Sequence, residues 1–487
     1  MFWTTLLLLH CVLVLFLILS NRSRSKKEPP LDKGIIPWLG HALEFGRDAS
    51  KFLTRMKLKH GDIFTVRVAG HYVTVLLDPD SYDAVLQDSV TLDFTRYAQV
   101  LMQRIFSLSL PNHNNSTEKA LMMRHFQGDS LTCLNSVMEG NLQALLQSET
   151  IQDQKNWKQD GLFNFCYSLL FRAGYLTLFG AEQSNHYTDS SAVYKEFRKF
   201  DSLLTKMARN MLNPEEKRIA GSVRQQLWSL LSAALPGEKT EDTWLQNYLQ
   251  HLKDEAVDEE MQKRAMLLQL WATQGNVGPA AFWLLGFLLI NPEAMNAVKK
   301  EFDSLLLQAD SPQGLPFDKL QNTPVFDSVL NETLRLTAAP FITREVLHSK
   351  TLCMADGREY DIRKGDRMCL FPYISPQMDP EIHEEPEKFK YDRFLNSNGS
   401  EKREFYKGGR RLKYYTMPWG AGKNKCVGQQ FAISSIKQLL LMVLTRLDLE
   451  LCDPASTMPK GNPSRYGFGV LQPEGDMEIR YKLRCTL

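Results

Sequence analysis

Twenty almost wholly apolar residues, MFWTTLLLLHCVLVLFLILS, open the chain and set its first predicted element. As a helix rising about 1.5 Å per residue they reach ~30 Å, the thickness of one bilayer core. A cleaved leader would show a basic start, a shorter apolar run and a small-residue cleavage site, and none is evident. Arg22, Arg24, Lys26 and Lys27 follow instead, which places the C-terminal side in the cytosol. The proline pair of EPP then ends the helix and acts as a stiff spacer. The pattern predicts an anchor helix over 1–20, a basic, proline-rich hinge over 21–30 and one folded domain over 31–487.

Beyond the hinge the periodicity changes twice. Residues 62–79, DIFTVRVAGHYVTVLLDP, alternate apolar and polar about Ala69-Gly70, a hairpin with a glycine turn. From roughly 80 to 340 the period is mainly helical, with loops at PNHNNSTEK, NPEEKR and QADSPQGLP. Residues 341–371 return to strand, FITREVL and RMCLFPY flanking the turn MADGREYDIRKGD. The last hundred residues or so give an irregular stretch, one apolar helix and mixed strands. The expected class is mainly α with a smaller β region contributed by both ends. One segment, RAMLLQLWATQGNVGPAAFWLLGFLLI (264–290), is apolar nearly all round but interrupted by Gly275, Gly278 and Pro279. Its unbroken portion is too short for a second span, so it reads as a buried central helix with a local distortion.

Composition narrows the classes. With 58 Lys+Arg against 56 Asp+Glu the net charge is only +2, and no basic block interleaved with aromatics suggests a nucleic-acid groove. The eight cysteines are scattered, with no CxxC pair, which argues against structural zinc or a disulfide scaffold and for a reducing compartment. The sequons at Asn114, Asn115, Asn331 and Asn398 go unused if everything past the anchor is cytosolic.

Candidate chemistry concentrates in the C-terminal third. PWGAGKNKCVGQQ sets one thiol, Cys426, on a glycine-rich loop immediately before an apolar helical run, FAISSIKQLLLMVLTRL. A thiolate there is stabilised by the helix's positive end and can bind a metal. NETLRL carries Glu332 and Arg335 one helical turn apart, in a helix expected to start at Thr323-Pro324 and end before Pro340. EPEKFKYDRF carries Arg393 downstream. These three motifs, in this order, resemble those of the cytochrome P-450 (haem-thiolate) superfamily: F-x-x-G-x-x-x-C-x-G, with Trp419, Gly422, Cys426 and Gly428 at its fixed positions, then E-x-x-R and P-E-x-F-x-P-x-R-F. The departures are Trp419 for phenylalanine and Tyr391 for proline.

The resemblance implies haem b between the central helix and the cysteine-loop helix. Cys426 would be the iron's axial ligand, and Trp419, Gly422, Asn424 and Gly428 would shape the loop beneath it. It also implies a buried Glu332–Arg335–Arg393 network and an endoplasmic reticulum membrane location.

Two departures bear on activity. Oxygen-activating members carry an acid and a hydroxyl in the central helix, where this chain has Gly275 and Asn276. Neither can relay protons to dioxygen, whereas an amide can still donate a hydrogen bond. The W-x-x-x-R motif that clamps a haem propionate is also missing, and Asn424 replaces a basic residue. Arg344 matches a recurrent propionate-binding position and could contact substrate as well. Arg104 and Arg367 are further candidates, each reading equally as a solvated surface arginine.

The pattern is similar to the branch of the superfamily that isomerises a prostaglandin endoperoxide, prostaglandin H2. It implies a monomeric enzyme needing no NADPH, reductase or dioxygen. Asn276 would position the endoperoxide, while Trp271, Leu110 and Thr343 line the lipid channel. Open alternatives are an NADPH-dependent sterol or fatty-acid monooxygenase and a haem-binding sensor.

Overall fold

The hairpin expected about Ala69-Gly70 forms as Ile63–Val68 and His71–Leu76, paired antiparallel from Ile63↔Leu76 to Val68↔His71. In this computed structural model, which describes residues 2–19, 24–110, 115–150, 156–180, 190–233, 243–307 and 320–484, the hairpin is part of a six-stranded sheet. Leu31–Asp32 adds on one side. Arg367–Leu370, Ile342–Val346 and Leu92–Asp93 follow on the other. Arg22, Asn114 and residues 308–316, where a loop was expected, lie outside the described residues.

The chain divides into two compact units. The first, made of residues 1–97, 339–386 and 404–424, holds that sheet. Ile63, Leu76, Ile342, Met368 and Leu370 belong to its dry core. A difference from the sequence reading appears here. Within the expected turn MADGREYDIRKGD lies a strand, Glu359–Ile362, paired antiparallel with Lys350–Cys353. Residues 24–32 are docked on the first unit. Arg24 donates to the Pro29 carbonyl (3.2 Å) and the Thr65 hydroxyl (3.1 Å), and Glu28 and Pro29 are buried.

The second unit, residues 98–338, 387–403 and 425–487, is mainly helical. At its centre the Glu259–Gln274 and Val277–Ile290 helices run in series, interrupted at Gly275-Asn276, as the glycine and proline pattern suggested. The second of the pair is buried along most of its length and packs on the Leu162–Phe179 helix, also largely buried. Both pass a membrane-span test by length and composition, the first pair taken as one run, but two-thirds of each tested window is buried inside the fold. They are core helices. By contrast, the Phe2–Leu19 helix is apolar with its described side chains exposed, and its 18 residues reach ~27 Å.

The Pro324–Thr337 helix starts at the expected place, yet its cap differs. Thr323 makes no capping bond; instead the Glu301 carboxylate accepts from the Val325 and Phe326 amides, both at 2.9 Å. A negative group at the positive end of the helix satisfies two otherwise orphaned donors.

Candidate haem-thiolate site

The cysteine loop turns tightly because of its glycines. Gly422 has φ +63°, a conformation L side chains rarely adopt, and a Cβ there would press to 3.3 Å from the Leu86 carbonyl oxygen. Gly428 caps the Gln429–Arg446 helix, and its amide donates to the Cys426 sulfur. The Cys426 side chain is accessible, yet protein encloses it closely enough that burial pushes its thiol up. The Gly428 N–H and the Lys425 charge oppose that rise by favouring the thiolate. Trp419 is half-buried at the start of the loop.

Arg344 extends from the Ile342–Val346 strand and is buried at 5% exposure. Its Nη1 donates to the Thr343 carbonyl at 2.9 Å and its Nη2 lies 3.5 Å from Asn424 Oδ1, with the guanidinium 5.3 Å above the Phe94 ring. Among the described residues no carboxylate lies within ion-pair distance of it, and burial pulls its pKa down despite the more distant Asp93. A buried cation without a paired anion is costly unless an anion is supplied. Asn424 thus keeps contact with the arginine it lies near, although it carries no charge of its own.

The interruption of the central helices sets Asn276 at φ −112°, ψ −24°, half-buried. Its Oδ1 accepts a hydrogen bond from the Val470 amide at 2.9 Å. Because a backbone N–H can only donate, the amide orientation is fixed: Oδ1 faces Val470 and the two Nδ2 hydrogens face away. Gly469 makes the approach possible, since at φ +93° a Cβ would fall 2.3 Å from Asn276 Oδ1. The Tyr167 hydroxyl donates to the Gly275 carbonyl at 3.2 Å. The neighbouring Thr273 hydroxyl is spent on the Gln269 carbonyl, 2.8 Å away, as a helical back-bond.

Glu332, Arg335 and Arg393 come together. Arg335 donates to both Glu332 oxygens (Nε 2.7 Å, Nη2 2.8 Å), Arg393 Nε donates at 2.9 Å and the Lys390 amide at 3.0 Å. Glu332 and Arg335 are fully buried. Trp271 stacks obliquely on Phe106, ring centres 5.9 Å apart, and Leu110 is buried. Thr343 lies half-buried on the strand beside Cys369.

Two arginines have other engagements. Arg104 is exposed and donates to the Ala208 carbonyl at the end of a helix, 3.1 Å away. The Arg367 guanidinium lies 5.0 Å from the centre of the Tyr97 ring. The Val470 amide was invisible to sequence reasoning, because it acts through its backbone; the glycines of RYGFGVLQ were the only trace.

A cytochrome P450 family model matches residues 29–479. The chain belongs to that family. It is 54% identical to prostacyclin synthase of Rattus norvegicus and 53% identical to that of Homo sapiens, each over 476 residues covering 95% of both chains. It is 42% identical to the 7-alpha-hydroxycholest-4-en-3-one 12-alpha-hydroxylase of Homo sapiens, covering 96% of this chain and 95% of the relative.

Cytochrome P450 membership implies a haem cofactor. Taken each by itself, the residues present fit parts of that group: an accessible sulfur on a glycine loop, and a buried guanidinium with no carboxylate at ion-pair distance among the described residues. A dianionic macrocycle edge is the chemistry that guanidinium needs, and a soft sulfur suits iron.

Proposed function

We propose that the chain is a haem-thiolate isomerase that converts prostaglandin H2 to prostacyclin. Substrate and product are isomers, so the reaction consumes neither NADPH nor dioxygen and needs no reductase. Haem b, when bound through the Cys426 sulfur, supplies an iron centre able to open a weak O–O bond. Gly428 would tune the sulfur through its amide, Trp419 and Gly422 would shape the loop, and Arg344 with Asn424 would hold a propionate. Trp271, Leu110 and Thr343 offer apolar and small polar surface to the lipid chains. Arg104 and Arg367 are weaker substrate candidates, since both already have partners.

The observation that carries the reading is the pinned amide of Asn276. With Oδ1 held by Val470, Nδ2 is a fixed donor suited to orienting an oxygen already on the substrate. Gly275 offers no acid and the Thr273 hydroxyl is engaged, so neither is placed to deliver protons to dioxygen. A single N-terminal span would hold this monomer in the endoplasmic reticulum membrane, its catalytic domain facing the cytosol.

The test is purified haem-loaded protein given prostaglandin H2 under argon without NADPH. Prostacyclin or its hydrolysis product should form stoichiometrically. Sterol or fatty-acid hydroxylation dependent on NADPH and oxygen, with the endoperoxide untouched, would overturn the assignment.

A further inference from the structure

The loop that holds Asn276 is itself held from beneath. Its limbs close at the Gly461↔Pro473 bridge and at the Asn462 amide, which donates to the Gln472 carbonyl at 2.7 Å. Near one end, Arg465 is buried and donates from Nη1 and Nη2 to the two carboxylate oxygens of Asp201, each at 2.9 Å. The same Nη2 reaches the Asp201 carbonyl at 2.7 Å. At the other end, Gln472 Nε2 donates to Asp201 Oδ2 at 2.6 Å. Asp201 belongs to the Ser190–Ala208 helix and is only 1% exposed. One buried carboxylate therefore ties both limbs of the loop, and the Val470 amide lies between those ties.

We infer that Asp201 is a positioning residue for the isomerisation, acting through Arg465, Gln472 and the Val470 amide on the orientation of the Asn276 side chain; this rests on the role proposed for Asn276 above. A bidentate carboxylate–guanidinium pair fixes angle as well as distance, which one hydrogen bond does not. The loop needs such a fixture because Gly467 and Gly469, at φ +98° and +93°, leave its tip few side chains to pack. The upper side is steadied separately: Trp283 Nε1 donates to the Leu471 carbonyl at 2.7 Å, and the Leu471 amide to the Thr337 carbonyl at 2.9 Å. Val470 is itself bridged antiparallel to Ala338, and Arg209 Nη2 donates to the Ser464 carbonyl at 2.9 Å, so the Asp201 ties act beside these contacts in holding the glycine-rich tip. Were the Val470 amide to drift, the Asn276 amide could rotate by half a turn. It would then present its oxygen, an acceptor, where a donor is required.

The test is a double-mutant cycle on the haem-loaded, full-length protein, with Asp201→Asn crossed against Asn276→Ala. Asp201→Asn should lower kcat for prostaglandin H2 by ~threefold to tenfold with little change in KM. In the Asn276→Ala background it should have almost no further effect. The second readout is amide hydrogen exchange of peptides covering 466–472, which should quicken in Asp201→Asn. Gln472→Met, which removes a single tie and keeps the side chain's bulk, should show both effects more weakly and serves if Asp201→Asn does not fold. Additive losses in the cycle, or unchanged exchange, overturn the inference. If the wild-type protein leaves the endoperoxide untouched, the proposed function fails instead. The exchange measurement then decides alone whether Asp201 fixes the loop.

Discussion

An amide whose oxygen is pinned presents its N–H groups in one direction, and at Asn276 the Val470 amide does the pinning. Asn276→Asp separates the two halves of that arrangement. It keeps an acceptor for Val470 and removes the outward donor. The variant should load haem and melt like wild type, while turnover of prostaglandin H2 falls by ~threefold to tenfold, the worth of one neutral hydrogen bond. Steady-state kinetics beside the absorption spectrum check this, and unaltered turnover would remove Asn276 from the reaction. Cys426→Ala, in contrast, should abolish both activity and the red-shifted Soret band of the reduced, carbon monoxide-bound form. At this scale the sequence was informative about side chains and silent about backbone. Gly275 and Asn276 stand out against the family motif, but their partner lies 194 residues away and contributes only a peptide N–H.

The Pro324–Thr337 helix has one carboxylate capping its start and carries another, Glu332, within it, and each has its own test. Glu332→Ala would leave buried guanidinium groups uncompensated, a loss of ~3–5 kcal/mol. Denaturant midpoints, or the yield of haem-replete protein, would register it. Glu301→Ala removes the cap and should cost only ~0.5–2 kcal/mol by the same measurement. The Glu332 motif was legible because a helical turn joins its first two members. The Glu301 cap was not, since it comes from a neighbouring helix and no local signal replaces the idle Thr323. The missed strand Glu359–Ile362 has a similar origin: EYDI is too polar to show a two-residue alternation.

The edge strand Leu31–Asp32 responds to acid. Burial alone would raise the Asp32 carboxyl, but hydrogen bonds from Lys59, His41, the Gly34 amide and His60 outweigh it and hold the pKa well below the usual carboxylate range. A pKa depressed in the folded state gives stability that is complete above the unfolded value, about 4, and is lost as pH falls below it. Thermal midpoints should therefore drop between about pH 5 and 3, and Asp32→Asn should flatten that slope.

For the whole molecule, removing residues 1–20 should release the protein from carbonate-washed membranes with its haem spectrum intact. The apolar Phe2–Leu19 helix is the element it would lose. Persistent attachment of the truncated form would assign the membrane contact to other surfaces.

The interleaving of the two units has a consequence for biosynthesis. The six-stranded sheet needs Leu31–Asp32 at one edge and Arg367–Leu370 in its interior, so it cannot close until most of the chain has left the ribosome. Lys158–Gly161 waits longer, for Glu478–Leu483, the last strand among the described residues. The first unit's sheet therefore stays open until Leu370 is made, and the second unit's until the last described strand is. Stalled or C-terminally truncated products should therefore be degraded rather than accumulate as a folded half.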